Sequence, residues 1–448
     1  MDITRYCILG NVDASKSSLI GVLKTGELDD GKGKSRSSIL QMKHEKESGN
    51  TTNSNLVKIY KSKNIIEGTS QSPKEGTSQS PKEEGVSEYV QDYIQLIDLP
   101  GHKKYFGMVL RGIMEYNPSY AIIVISSLKG IEEDHVKGKG LRVMNMTKVH
   151  INVCLFLKLP IMIVIGKVDN CPKDRLKKTI DEVKSYTKTL GCKKFFSVKD
   201  KVTFKQAVDD LTDAVSFISI PCFLLSNVTG ENIDLFKNFL FQFKSRSNLF
   251  KESGKLNDFA RLNKIKNVFE IYKTYYVNGV GLIVFGYNKL GIISKDDIIN
   301  IGPIGNRYIK IRIKSLHDDE RNEVKFLEEG RYGCLAIKSI DLKDKLNKKH
   351  LHKGKVVTDS NIIVHSIITD CKISHHQTTI EKRYKAYLHS ANVGCNVSIL
   401  NAPNFPIRTD DNTEIEFKFD SPQFIYPGCK FVFREEDIKG YGIIKRIN

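Results

Sequence analysis

The chain has 448 residues, too long for one core and sized for about two to four domains of roughly 100–200 residues each. Its 40% hydrophobic share supports buried cores, while 70 Lys+Arg against 52 Asp+Glu give a formal net charge of +18 that favours a polyanionic partner such as RNA. Nine scattered cysteines without a C-x-x-C pair exclude a disulfide framework or zinc ribbon, and no apolar run approaches the roughly 18 residues of a membrane span.

A cytoplasmic, reducing setting with no membrane partner follows as the expectation, since Met1-Asp2-Ile3-Thr4-Arg5 lacks the basic and apolar regions of a signal peptide. The charge has a plainer reading as well: Lys, Ile and Asn are used so freely that an AT-rich genome would produce much of it. His375-His376 and His350-Leu351-His352 have no cysteine or carboxylate partners at ligand spacing and are assigned no chemistry.

In chain order, Arg5-Tyr6-Cys7-Ile8-Leu9 reads as a buried strand that breaks at Gly10, and Ser17 to Leu23 begins a helical pattern. Between Glu67 and Lys82 the octapeptide Glu-Gly-Thr-Ser-Gln-Ser-Pro-Lys occurs twice in tandem with nothing apolar to bury, so 67–85 is read as a disordered surface insertion. Strands are predicted at Tyr93 to Ile97, Ala121 to Ile125, Ile161 to Ile165 and Cys222 to Leu225, with helical patterns between them and a charged insertion at Asp134 to Lys139. That alternation makes residues 1–245 an α/β domain with a parallel sheet. After Asn248 the pattern turns to short alternating runs, among them Phe269 to Lys273, Gly281 to Gly286 and Ile309 to Ile313, without intervening long helices. Two antiparallel β-barrels suit this length, 246–345 and 346–448, with the charged stretch Leu342 to Lys349 as the linker.

Four motifs carry the chemistry, each at a strand's end. Gly10-Asn11-Val12-Asp13-Ala14-Ser15-Lys16-Ser17, with Ser18 next in the helix, can turn backbone N–H groups and a helix N-terminus towards phosphate oxygens. Lys16 would reach the β and γ phosphates and the Ser17 hydroxyl would ligate Mg²⁺. Ser15 stands where a glycine is usual and narrows the loop. Asp98-Leu99-Pro100-Gly101-His102 follows a strand directly, so Asp98 can hold a Mg²⁺ shell through water, Gly101 can approach a γ-phosphate and His102 can orient an attacking water. In Gly166-Lys167-Val168-Asp169 the carboxylate can accept both N1–H and the exocyclic amine of guanine, a pair that adenine does not present, while Lys167 lays its stem along the base. Ser226-Asn227-Val228-Thr229-Gly230 would supply backbone N–H groups to the guanine carbonyl.

At these residues the chain resembles the translational GTPases of the elongation factor Tu superfamily. Lys43 to Thr52 is similar to the first switch of the eukaryotic GTP-binding-protein branch, which is linked to ribosome quality control and messenger RNA turnover. The resemblance implies Thr51 as the Mg²⁺-coordinating switch threonine, with Thr52 as the fallback, and extends to Gly279-Val280-Gly281 and Gly302-Pro303 in the second domain and to Thr378-Thr379-Ile380 and Gly428 to Arg434 in the third. Gly166 replaces an asparagine or threonine of that pattern, and Asn50 replaces an apolar gate residue.

The expectation is therefore an α/β P-loop GTPase domain followed by two antiparallel β-barrels, binding GTP or GDP with Mg²⁺. It would hydrolyse GTP through His102 on meeting a ribosome, tRNA or mRNA, as a monomer that could require an exchange factor. The competing reading, motivated by Ser15 and Gly166, is an RNA- or ribosome-binding protein without effective catalysis. A sulfate-activating GTPase shares the three-domain plan, but fold alone does not fix function.

Overall fold

The computed structural model of the protein describes residues 3–40, 45, 51, 54–61, 93–131, 134–135, 142–143, 145–212, 219–245, 252–341, 346–349, 351, 354–374, 379–435 and 438–448. The repeat insertion at 67–85, Asn50, Thr52, His350, His352, the paired histidines His375 and His376, and Thr378 lie outside them.

The N-terminal unit is a seven-stranded sheet ordered β2-β3-β1-β4-β7-β9-β8, built from β1 (Arg5–Leu9), β2 (Asn55–Tyr60), β3 (Tyr93–Asp98), β4 (Tyr120–Ser126), β7 (Ile161–Gly166), β8 (Lys194–Ser197) and β9 (Ser219–Leu225). A small ribbon, β5 (Asp134–His135) and β6 (Arg142–Val143), stands apart. All strands of the sheet run parallel except β2, which pairs antiparallel with β3 at the edge. Strands β1, β4 and β7 are buried along their whole length because helices cover both faces, which is why they read as unbroken apolar runs.

Alternate residues feed two cores. Cys7, Leu9, Ile97, Ile123, Ile125, Ile163 and Ile165 meet α2 (Phe106–Tyr116), α3 (Met146–Phe156) and α4 (Lys173–Thr189) on one face. Tyr6, Ile8, Leu96, Ile122, Val124, Met162, Val164 and Phe223 meet α1 (Lys16–Thr25), α5 (Lys201–Thr212) and α6 (Ile233–Leu240) on the other. The register aligns Ile8 with Asp98, Leu9 with Ile123, Ser126 with Gly166 and Gly166 with Leu225, so β1 and β3 end within a residue of each other, while β4, β7 and β9 end level with one another three residues further on. Successive connections leave β1 towards opposite sides of the sheet, and the crevice this opens is where doubly wound sheets take ligands.

The segment after Asn248 opens with a helix, α7 (Glu252–Leu262), rather than with a strand. Leu256 and Ala260 of α7 belong to the core of the second barrel, and Phe259 stacks on Tyr426 at 5.9 Å. The first barrel contains β10 (Val268–Val277), β11 (Gly281–Leu290), β12 (Ile293–Ser294), β13 (Ile298–Ile304), β14 (Arg307–Asp318), β15 (Glu323–Val324), β16 (Phe326–Leu327), β17 (Tyr332–Ser339) and β18 (Val356–Thr358). Six of them close the ring β13-β18-β10-β11-β17-β14 through antiparallel pairs. The ring takes its last strand from beyond residue 345: Val356 to Thr358 pair with both β10 and β13, so the chain returns to the first barrel after the charged stretch. The second barrel is closed by β19 (Val364–Ile373), β20 (Lys385–Ser390), β21 (Val393–Asn401), β22 (Asn412–Gln423), β23 (Lys430–Arg434) and β24 (Ile438–Ile447).

Both barrels seat against the α/β unit. Lys58 of β2 bonds Glu320 at 2.8 Å and lies 3.5 Å from Asp319, Tyr332 Oη donates to the Glu115 carbonyl at 3.1 Å, and the Arg5 guanidinium lies 4.6 Å over the Tyr332 ring. From the second barrel, Lys430 Nζ donates to the Leu157 carbonyl at 2.8 Å and Tyr441 packs on Phe156 at 4.0 Å. A side chain on Gly107, in the helix that follows Gly101-His102, would meet the Arg434 guanidinium at 2.3 Å, so that helix lies directly under the barrel. Among the described residues no helix is long and apolar enough to cross a membrane, and none of the nine cysteines forms a disulfide.

Candidate nucleotide-binding site

The loop after β1 begins at Gly10, whose φ is +143° and whose absent Cβ would fall 2.1 Å from the Val124 carbonyl oxygen, so only glycine fits. Asn11 then ties the turn: its Oδ1 accepts from Val12 N at 2.8 Å and its carbonyl accepts from Lys16 Nζ at 2.9 Å. Asp13 and Ser15 both take the left-handed conformation, at φ 61° and 63°. For Ser15 this costs about 1 kcal/mol, largely offset by the hydrogen bond from its hydroxyl to the Ala14 carbonyl at 2.6 Å. Helix α1 starts at Lys16 without a side-chain cap, which leaves its first N–H groups for a ligand. Ser18 is buried and its carbonyl accepts from Ser35 Oγ, so its side of the helix faces loop 26–35. Asp13 lies outside, paired with Lys129 at 3.1 Å.

Three groups converge beside Lys16. Ser17 Oγ lies 2.8 Å from Thr51 Oγ1 and donates to Asp98 Oδ2 at 2.9 Å, and Thr51 Oγ1 donates to the same oxygen at 3.0 Å. Asp98 is fully buried, and its Oδ1 has no hydrogen-bond partner among the described residues. Burial raises its pKa, against the pull of Lys16, Ser17 and Thr51; nearby Glu45 raises it further. The same burial pushes Lys16 down to about 8, with Asp98 and Asp13 acting the other way. A cation and a carboxylate held this far out of water are poised for ligands carrying opposite charge. Gly101 closes the cradle, since a Cβ there would lie 2.5 Å from Lys16 Nζ and 2.8 Å from the Asn11 carbonyl carbon.

His102 is exposed, and its Nδ1 accepts from Lys104 N at 3.1 Å as the cap of the turn Lys103–Tyr105. At the end of β7, Lys167 adopts φ 62° and is fixed by Ser127, whose Oγ donates to the Lys167 carbonyl at 2.8 Å and whose N–H donates to the Gly166 carbonyl at 3.0 Å. Thr179 Oγ1 donates to the Ser127 carbonyl at 2.9 Å in turn. Asp169, two residues beyond Lys167, is exposed. At the end of β9 the buried Ser226 Oγ accepts from the N–H groups of Val228 and Thr229 at 3.2 and 3.0 Å. The Val228 amide is therefore spent inside the turn, and the Asn227 amide is the one of the expected set left to face a base.

Sequence reasoning missed His150. Its Nδ1 accepts from Gly10 N at 3.2 Å, so a fully buried side chain on α3 pins the first residue of the phosphate loop. The ring stacks on Phe106 at 6.1 Å and is neutral, with burial, then the charge of Lys16, holding its pKa at about 3. A lone histidine in a helical run carries no signal of this; only the fold brings α3 under Gly10. His150→Leu leaves the Gly10 N–H buried without an acceptor, and nucleotide affinity is expected to fall about tenfold by titration with a fluorescent analogue. His150→Gln keeps an acceptor and is expected to stay within about threefold. The depressed pKa also fixes a sign: the unfolded histidine, with the ordinary value of 6.5, takes a proton that the folded one refuses, so stability present above pH 6.5 drains as pH falls towards 3. His150→Gln should accordingly unfold at lower pH than the parent; equal nucleotide affinity in the Leu and Gln variants would dismiss the role of His150 as acceptor for Gly10.

A family model described as the elongation factor Tu GTP binding domain matches residues 1–276. The chain belongs to that family. Among elongation factor Tu-like relatives, GTP-binding protein 1 of Xenopus laevis is 30% identical over 460 residues, an alignment that takes in 99% of this chain and 63% of that protein. GTP-binding protein 2 of Mus musculus is 29% identical over 450 residues, covering 98% of this chain and 68% of the relative. The chain thus spans less than two thirds of the length of the first of them. Among solved structures, translation elongation factor SelB from Methanococcus maripaludis, in complex with the GTP analogue GppNHp, superposes with a TM-score of 0.60 at 15% identity, covering 100% of this chain and 80% of that one. The Ski7 GTPase-like domain of S. cerevisiae, bound to GTP, gives 0.65 at 14% identity, covering 99% and 97%. These structures share the three-part architecture of an α/β domain and two barrels, and at such identities they bear on fold alone.

Proposed function

We propose that this elongation factor Tu-like chain binds GTP with Mg²⁺ at the ends of β1, β3, β7 and β9 and hydrolyses it on engaging a ribosome or an RNA partner. The observation that carries the reading is the cluster of Ser17, Thr51 and Asp98 beside the buried Lys16, with one Asp98 oxygen unpartnered among the described residues. Hard oxygen donors of this kind suit Mg²⁺, and the orphaned Oδ1 is a lone pair in search of a cation or its water. Ser17 and Thr51 would hold the ion directly and Asp98 through water; the ion, when bound, neutralises phosphate charge. Among the described residues no three His, Cys, Asp or Glu cluster for a metal, so the remaining ligands would come from the nucleotide and solvent.

Lys16 and the N–H groups of Ser15 to Ser18 at the start of α1 hold the phosphates, Gly101 reports the γ-phosphate, and Asp169 with Lys167 and Asn227 selects guanine. His102 orients the attacking water once a partner draws it from its cap on Lys104. The RNA side of the proposal is supported by net charge and by the outer face of β14. There Lys310, Arg312 and Lys314 are exposed between buried Ile309, Ile311 and Ile313, and Arg312 lies beside Lys338 of β17. Tyr276, 71% exposed at the tip of β10, adds an aromatic face for a base.

Turnover measured with and without ribosomes, for the parent and for His102→Ala, tests the reading. Slow intrinsic hydrolysis, raised at least about a hundredfold by ribosomes in the parent alone, is the expected result. Equal, ribosome-independent rates in both would remove His102 from the mechanism. The exposed His102 also favours a second reading, an RNA- or ribosome-binding protein that retains the nucleotide but does not turn it over; GTP binding with no hydrolysis under any ribosomal condition would select it.

A further inference from the structure

Ser15 and Gly166 each look like a loss, a glycine gone from the phosphate loop and a side chain gone from the strand that leads to the base-reading segment. In space they are neighbours. A Cβ on Gly166 would fall 3.3 Å from Ser15 Oγ and 3.9 Å from the Ala14 carbonyl oxygen, and Ser15 Oγ already donates to that carbonyl at 2.6 Å. The hydroxyl therefore borders the place where a side chain at 166 would begin, and it already holds the carbonyl that lies 3.9 Å from that place, within reach of a polar side chain there.

We propose that the two departures are one exchange: Ser15 is a positioning residue that has taken over, from the loop side, the packing and hydrogen bond that a side chain at 166 would supply from the strand side. The inference rests on the nucleotide site proposed above. Its consequence is that the loop and the end of β7 stay locked together, and that Lys167 and Asp169 keep their place relative to the phosphates. Gly166 is held from its other flank by Ser127, itself anchored by Thr179, so the segment is gripped on both sides. Removing the Ser15 hydroxyl leaves space beside Gly166 and the Ala14 carbonyl without its donor. Adding a side chain at 166 while Ser15 stays forces the two together, because 3.3 Å already lies inside ordinary van der Waals separation for a Cβ. Either change alone does harm; both together restore a filled contact with the donor moved to the strand.

The test is a cycle of four full-length proteins: the parent, Ser15→Gly, Gly166→Asn and the double variant. Affinities for fluorescent GTP and ATP analogues are read together with the thermal midpoint in the absence of nucleotide. Each single change is expected to weaken GTP binding at least about tenfold and to narrow the GTP-to-ATP preference, which a general loss of stability would leave alone. The double variant is expected to return within about threefold of the parent in both. Losses that multiply in the double variant, or single variants that bind and discriminate like the parent, overturn the proposal. Should the parent bind no guanine nucleotide, the function proposed above fails. The thermal midpoints still decide the exchange, with recovery in the double variant supporting it and additive losses overturning it. If the single variants do not fold, a folded double variant supports it and an unfolded one overturns it.

Discussion

Lys16→Met is expected to raise the melting temperature of the nucleotide-free protein while removing its nucleotide binding. In the folded chain Lys16 has a pKa near 8, down from the ordinary 10.5, because burial strips the ammonium of water faster than Asp98 and Asp13 compensate. Between those values the unfolded chain holds more protons than the folded one, so stability climbs with pH across the window, and below pH 8 the buried charge is a standing penalty. Methionine fills the same space without charge, and the gain should be about 1–2 kcal/mol after the lost bond to the Asn11 carbonyl, or a few degrees in midpoint. The gain should shrink as pH rises towards 10.5. Binding moves the other way: two or more charge-assisted hydrogen bonds to phosphate disappear, a loss of about 3–5 kcal/mol, or roughly a hundredfold to several thousandfold in affinity. Calorimetric melting and nucleotide titration on the same pair of proteins check both signs. A variant that still binds GTP would mean that Lys16 does not face the phosphates, and a destabilised one that its attraction to Asp98 outweighs the cost of burying its charge.

Asp169→Asn is expected to exchange the preferred base. A carboxylate accepts two donors, the N1–H and the exocyclic amine of guanine; an amide keeps one acceptor and turns an N–H group towards the amine, where it repels. Losing one charged bond and gaining a clash is worth about 3–5 kcal/mol, so GTP affinity should fall at least about a hundredfold. Xanthine presents a carbonyl in place of that amine and should be bound better by the variant than by the parent. Asp169 is exposed and forms no part of a core, so the substitution leaves the fold intact and the comparison is one of recognition alone. Paired titrations with GTP and XTP analogues measure it, and a variant that keeps the parent's order of preference would place the base elsewhere.

Much of the architecture was legible because burial and sequence pattern coincide. Strands β1, β3, β4, β7 and β9 announced themselves as apolar runs ending in Gly, Asp or Ser, and the C-terminal ends of β1, β3, β7 and β9 on one edge of the sheet are what gather the four motifs. Strand β8 was missed because its residues are exposed or half-buried and carry no clear run, and β2 because its alternation lies close to the switch segment. Helix α7 was overlooked although Leu256, Phe259 and Ala260 keep helical spacing; lysines and asparagines around them masked the stripe. Within the site, Lys16, Ser17 and Asp98 could be named from spacing, whereas Thr51 came only through family resemblance. Nothing in one dimension could show that His150 supports Gly10 or that Ser15 and Gly166 share a contact, since those meetings are made by the crossovers of the sheet.

The short strand β18 has one more consequence. Because Val356 to Thr358 fill the gap between β10 and β13, a chain ended at residue 345 would leave both of those strands with bare edges and an open seam onto the core around Phe269 and Ile301. Such an edge recruits strands from other molecules. The first barrel is sealed only once the chain reaches Thr358, and the second starts at Val364 a few residues later, so a first barrel expressed by itself must extend past the charged stretch.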